Sequence, residues 1–341
     1  MTPAIFGLAG PVLSAEERAF FRDADPAGYI LFGRNVVDRA QLRALTDDLR
    51  AIHGRERLLV SIDQEGGRVA RMQPPVWPAY PPAGAFARLW QTAPSSAIEA
   101  ARCNAAAIGL DLAEAGISVD YAPLLDIRRP GSHDVIGDRA LGDEPLPVAA
   151  LGRAVLDGLA AAGIAGCIKH MPGHGRAAAD SHKELPVVDA DEAALEADLE
   201  PFRTLADRAP LGMTAHVRYT VWDDANPGTL SRFVIGEVIR TRIGFAGLLL
   251  SDDIDMNALT GSVPERSLRA IEAGCDVVLN CWARMEEMVA TARLLPAMGE
   301  GAAARLDRAL AGCGVRDPEL ADHAALVATR DALLQLARDP A

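Results

Sequence analysis

No stretch of the chain approaches the roughly 20 uncharged apolar residues that a membrane-spanning helix needs. The first residues, MTPAIFGLAGPVLSAEERAF, carry no basic leader ahead of their short apolar run, and acids follow at once, so no signal peptide is read there. Cysteine is scarce. Five in 341 residues, an odd number without a CxxC pair, exclude a disulfide framework and suggest free, mostly buried thiols in a reducing compartment. Positive charge is also in deficit: 34 Lys and Arg stand against 47 Asp and Glu, a net charge of −13. A body this acidic repels phosphate backbones and anionic lipid, so nucleic acid and membrane are not expected partners. An anionic substrate in a local basic pocket stays open. A soluble cytoplasmic protein is expected. What remains is an ordinary globular balance, 50% hydrophobic and 24% charged residues. The length suits one large α/β barrel as well as two average domains.

Short apolar runs alternate with longer Ala/Leu/Arg/Glu stretches of helical period. Runs 5–8, 28–32, 58–62, 118–122, 166–168, 212–215, 247–250 and 276–279 read as strands. Stretches 15–22, 39–52, 95–115, 145–162, 190–207, 232–241 and 264–272 read as the helices between them. The strands are continuous apolar runs and do not alternate, the pattern of a parallel sheet buried on both faces. Eight of them with intervening helices predict a TIM-type (β/α)8 barrel over about residues 1–282. Gly163, Gly244 and Gly274 each follow an apolar helix and precede a strand, where a left-handed stop suits glycine. From 283 to 341 the pattern is helical, with no linker and no second run of strands. The expectation is a single α/β domain with a C-terminal helical extension.

In such a barrel the loops after the strands build the active site, and here the chemistry-bearing residues follow strands. SIDQEGGRVAR (61–71) closes strand 3; Asp63 there can accept hydrogen bonds from hydroxyls or pair with an arginine. Its GGR is not the GxGxxG fingerprint, and no GxxxxGK[ST] occurs, so nucleotide-phosphate binding has no motif behind it. YAPLLDI (121–127) closes strand 4, ahead of a long loop with GDRALG (137–142). KHMPGHGRAAADSHKELP (169–186) closes strand 5, and His216, Ser251–Asp252–Asp253 and Asn280 close strands 6, 7 and 8. In the SDD triplet one acid can turn into the barrel mouth while its neighbour serves the loop or caps a helix. The strand-5 segment carries His170, His174 and His182. Their spacing is not HExxH, and Pro172 with Gly173 forbids a helix, so no metal is expected. Asp180-Ser-His182 offers a carboxylate two residues from an imidazole, which can orient the ring for acid–base work. A solvated loop with incidental histidines is the plainer alternative. Gly173 and Gly175 as hinges, with little anchoring from Ala177–Ala179, predict that this loop moves as a lid.

Taken in this order, the segments resemble glycoside hydrolase family 3 and, within it, the single-domain bacterial β-N-acetylglucosaminidases of peptidoglycan recycling. The carrying segments are SIDQEGGRVARM (61–72), IGDRALG (136–142), KHMPGHGRAAADSHKELP (169–186), MTAHVRY (213–219) and LLLSDDIDMNAL (248–259). The resemblance implies a retaining exo-acting hydrolase of terminal β-linked GlcNAc in muropeptides, working without a metal or cofactor. It implies Asp252 as nucleophile, His182 as acid/base and Asp180 as its partner, with Asp63, Arg71, Arg139, Lys169 and His170 holding the sugar. Met171, Arg176, Asp255, Thr214 and Leu141 depart from the family's usual residues, and none carries an assigned role. A family 3 phosphorylase, or a glycosidase for another sugar, is the alternative within the family; a non-catalytic sugar-binding barrel is disfavoured because Asp252 and His182 are both present.

Overall fold

A computed structural model describes residues 1–131 and 133–337. Eight parallel strands form a closed barrel: β1 (Thr2–Gly7), β2 (Pro26–Leu31), β3 (Leu59–Ile62), β4 (Val119–Asp120), β5 (Ala165–Met171), β6 (Leu211–Thr214), β7 (Leu248–Asp253) and β8 (Val277–Asn280). Neighbours in sequence are neighbours in the sheet. Ile5 of β1 stands opposite Gly28 of β2 on one side and Leu279 of β8 on the other, which closes the ring. This is the expected (β/α)8 architecture, and each of the eight runs read as a strand contributes one.

The continuous apolar runs have a direct cause. Ile5, Ile30, Leu59, Val119, Cys167, Leu211, Leu250 and Val277 pack inside the barrel. Their neighbours in sequence pack outward against the helices in a second, larger cluster. Both faces of every strand are covered, so the strand bodies are apolar and the polar residues gather toward their C-terminal ends. The helices show ordinary local logic. α1 (Ala15–Ala24) opens on a capping box, in which Ser14 Oγ accepts the Glu17 N–H and the Glu17 carboxylate accepts the Ser14 N–H. α2 (Arg39–His53) buries Leu42, Leu45, Thr46 and Leu49 along one stripe. Two helices, α3 (Ala83–Trp90) and α4 (Pro94–Glu114), fill the interval between β3 and β4, where the sequence pattern predicts one. α5 (Pro145–Ala161) and α6 (Glu192–Leu205) follow β4 and β5. Residues Val234–Arg242, between β6 and β7, wind as a π-helix, and α7 (Val263–Ala273) precedes β8.

Among the described residues three helices follow β8. α8 (Met285–Leu294) packs against α7, α1 and β1 and is the barrel's own eighth helix. α9 (Glu300–Leu310) turns under the barrel floor: Leu306, Ala309 and Leu310 join the interior cluster. Arg305 Nη1 donates to Asp276 Oδ1 at 2.9 Å, at the N-terminal edge of β8. α10 (His323–Gln335) lies against α3 and α4. Among the described residues no helix is long and apolar enough to cross a membrane. The five cysteines are free thiols, four of them buried.

Candidate active site

At the C-terminal ends of the strands lies a cavity of ≈ 160 Å³, on the scale of a single small ring and well below the few hundred Å³ of ordinary ligand clefts. Asp63, Arg71, Arg139, Lys169, His170, His182 and Asp252 all line it, together with apolar side chains such as Phe32, Tyr121, Met213 and Met256. They arrive from five different strands and loops, which meet only at the barrel mouth. Asp180 stands behind His182 and is not itself part of the wall.

One side of the cavity is an ion cluster. Lys169, at 2% exposure, places Nζ 2.9 Å from Asp63 Oδ1 and 2.7 Å from Glu65 Oε1. Arg71 Nη2 donates to Asp63 Oδ2 at 3.1 Å. Arg139 grips Glu65 with two hydrogen bonds of 2.8 Å each, the bidentate geometry that fixes a guanidinium in place. Burial pushes the Asp63 and Glu65 carboxyls up, but Lys169 and the arginines outweigh it and hold both below the usual range. The short strand pair Gln64–Gly66 and Val69–Ala70 supports this arrangement. Gln64 locks it from below, its Oε1 accepting the Arg71 and Met72 N–H groups.

The opposite side holds Asp252, at the end of β7. His170 Nε2 lies 4.0 Å from Asp252 Oδ2. The other ring nitrogen, Nδ1, is 2.7 Å from Asp126 Oδ2, so Asp126 accepts that proton and sets the ring's direction. Asp126 is fully buried and also accepts the His170 and His174 backbone N–H groups at 3.3 and 2.6 Å. His216 is clamped between Thr229 Oγ1 at 2.7 Å and the Asp253 carbonyl at 2.9 Å. Burial raises the Asp252 carboxyl, yet His170, His216 and the Asp253 N–H outweigh it and keep Asp252 below the ordinary carboxylate range. Burial pushes His174 down to about 4, so it stands neutral beside them. His174 lines the cavity too, while Glu65 and Asp126 hold Lys169, Arg139 and His170 from behind; none of the three stands out in the sequence as a site residue. They lie three to six residues beyond the ends of their strands, so strand position alone does not single them out.

His182 sits at the rim with its side chain 65% exposed. Its Nδ1 is 2.9 Å from Asp180 Oδ1, which also accepts the His182 backbone N–H at 3.0 Å. That contact leaves Nε2 as the free ring nitrogen. Burial pushes the Asp180 carboxyl up, and the two His182 hydrogen bonds outweigh it. The loop before it differs from the hinge expectation. A Cβ at Gly175 would lie 1.9 Å from the Ile127 carbonyl oxygen, so glycine is there for close backbone approach and not for freedom. Tyr219 Oη donates to the Gly173 carbonyl at 2.9 Å, Arg176 pairs with Asp198, and Ala177 is 1% exposed. Residues 173–177 are therefore pinned. Exposure begins beyond them, in the stretch that ends at His182.

The glycosyl hydrolase family 3 N-terminal domain model matches residues 8–311. The chain belongs to glycoside hydrolase family 3. It is 43% identical over 283 residues to a β-hexosaminidase of Alkalilimnicola ehrlichii, covering 82% of this chain and 80% of that one. It is 40% identical over 284 residues to a β-hexosaminidase of Aromatoleum aromaticum, covering 82% and 79%. NagZ from Neisseria gonorrhoeae, solved in complex with N-trifluoroacetyl-D-glucosamine, superposes with a TM-score of 0.88 at 30% identity over 98% of each chain. This protein is thus a family 3 glycoside hydrolase with a single TIM-type barrel.

Proposed function

We propose that the protein is a retaining exo-β-N-acetylglucosaminidase that removes terminal β-linked GlcNAc from peptidoglycan-derived muropeptides in the cytoplasm. The observation that carries the reading is a single small cavity faced by an ionised carboxylate, Asp252, and by the free nitrogen of an imidazole, His182, whose other nitrogen is held by Asp180. Relatives named β-hexosaminidase and a bound N-acylated glucosamine analogue in the Neisseria barrel support the choice of sugar. Free, mostly buried thiols suit a reducing compartment.

In this reading Asp252 attacks the anomeric carbon and a covalent glycosyl ester forms. His182 gives its proton to the leaving oxygen, then takes one from the water that hydrolyses the ester, and two displacements retain the β-configuration. Acid–base help of this kind is worth roughly 10²–10⁴-fold. Asp63, Arg71 and Lys169 offer charged donors and acceptors to the sugar hydroxyls. Arg139 holds Glu65, and through it Lys169, while His170 is aimed by Asp126. No step needs a metal or cofactor. The test is hydrolysis of aryl β-GlcNAc against aryl β-glucoside, with and without EDTA and phosphate. Faster turnover of the GlcNAc glycoside, unaffected by EDTA and giving free GlcNAc in phosphate buffer, is expected. A sugar phosphate as product would make the enzyme a phosphorylase, and a preference for glucoside would move it to another substrate class.

A further inference from the structure

The hairpin that carries Asp63, Glu65 and Arg71 does not stand alone. Its turn rests on the strap Tyr80–Pro82: Gly67 donates its N–H to the Tyr80 carbonyl at 2.9 Å. Gly66, at φ +93°, packs so closely that a Cβ would lie 2.4 Å from the Pro81 oxygen. Beneath the strap the Tyr80 side chain reaches α4 and α10. Its hydroxyl lies 2.6 Å from Asp111 Oδ2 of α4 and 2.9 Å from His323 Nε2 of α10. Burial and the Asp111 carboxylate push the Tyr80 hydroxyl's pKa far up, so it keeps its proton. That one proton goes to Asp111. His323 is therefore the donor, from Nε2–H to the Tyr80 oxygen.

Arg330, seven residues further along the same helix, repeats the contact. Its guanidinium sits 5.7 Å over the Tyr80 ring, and Nη1 donates to Asn104 Oδ1 at 3.1 Å. It is only 4% exposed, an unusual setting for arginine on a helix that merely covers a surface. Asn104, Glu65 and Arg139 together line a second, smaller cavity of ≈ 40 Å³ directly behind the Lys169 cluster.

We propose that α10 is a brace that positions the sugar-binding hairpin. His323 and Arg330 fix Tyr80, Tyr80 fixes the 66–67 turn, and the turn sets where Asp63 and Arg71 stand. His323, Arg330 and Tyr80 are positioning residues, and none of them lines the sugar cavity. The inference rests on the β-GlcNAc reading only through the substrate used to follow it.

Two readouts on the full-length enzyme test it. The first is steady-state kinetics on aryl β-GlcNAc for Tyr80→Phe, His323→Leu and His323→Gln. Tyr80→Phe removes one oxygen and keeps the ring, so the packing of the strap is preserved while the hydrogen bonds are lost. Tyr80→Phe and His323→Leu should raise KM by roughly 2- to 30-fold, the range for coupling through an intermediate element, with kcat nearly unchanged. His323→Gln, whose amide offers a donor at the same place, should restore KM. The double variant should be no worse than the worse single one, because both cut one link. The second readout needs no substrate: amide exchange over residues 64–72 should quicken in His323→Leu and slow again in His323→Gln. A lowered melting temperature with unchanged KM and unchanged exchange would overturn the brace, as would a glutamine variant that behaves like leucine. Absent turnover of aryl β-GlcNAc by the unaltered enzyme would sink the substrate reading instead, and the exchange result would still decide this one.

Discussion

Two adjacent aspartates at the end of β7 divide their work through what each one faces. Asp252 meets His170 and His216 and is held low. Asp253 is pushed up to about 7, by burial and then by the Asp255 charge. Its Oδ1 accepts the Asp255 and Cys281 N–H groups at 3.2 and 3.3 Å, so it serves the loop. Like residues take unlike roles when their surroundings split their proton affinities. Asp252→Ala should therefore lose kcat on the order of 10⁴-fold or more with an unchanged melting curve, while Asp253→Asn should keep most of its turnover. A fluoroglycosyl probe should label Asp252 in the trapped enzyme, and a label on Asp253 would reverse the assignment. Lys169 makes a second case. It is one of only two lysines in the chain, the other being Lys183, and it neutralises two half-buried carboxylates at once. Lys169→Met leaves Asp63 and Glu65 facing each other and should cost about 3–5 kcal/mol in urea unfolding, as breaking a buried ion pair does. A loss below about 1 kcal/mol would mean that Arg71 and Arg139 suffice.

At the scale of elements, the loop after β5 carries the residue proposed to move protons. Its first half is fastened by Tyr219, Arg176 and the Ile127 backbone, and His182 stands beyond it, exposed and oriented by Asp180. If His182 supplies the proton, His182→Ala should slow a poor leaving group far more than dinitrophenolate, which leaves without one. Equal losses on both would remove it as general acid. Gly175→Ala should also impair turnover, because the added methyl must displace the 127 backbone and with it the Asp126 contact to His174; unchanged kcat/KM would show that the loop absorbs it. The strands and most of the mouth were legible because double-sided burial makes each strand a continuous apolar run, and because acids and bases stand out at its end. Three things were not. The role of Gly175 is a close approach, which reads in sequence like freedom. Asp126 lies six residues past a ladder of only two, Val119–Asp120, so no period points to it. The Tyr80–His323 contact joins residues 243 apart, and nothing local marks either partner. The Asp180–His182 pair, by contrast, is local, and spacing alone suggests it.

For the whole molecule, buried charge sets the pH range of stability. Asp63, Glu65 and Asp126 are held below their unfolded values, although burial alone would raise them. Each contributes stability that is present above about pH 4 and is lost as pH falls through the folded value. Asp120 acts in the opposite sense. It is 1% exposed behind the Lys169 cluster, beside the same small cavity as Glu65, Arg139 and Asn104. Burial pushes it up to about 7. The folded barrel then keeps a proton that the unfolded chain releases near pH 4, so stability falls between about pH 4 and pH 7 by up to roughly 4 kcal/mol and then levels off. Asp120→Asn keeps the shape and can still accept the Gln64 N–H that reaches Oδ1 at 3.0 Å, but it has no proton to lose. Unfolding free energies of the two proteins, measured in urea at pH 5 and at pH 8, should diverge in favour of the asparagine variant by about 2–3 kcal/mol as pH rises. A difference that stays constant with pH would mean that Asp120 is already ionised in the folded protein at pH 5, and that Lys169 stabilises three carboxylates and not two.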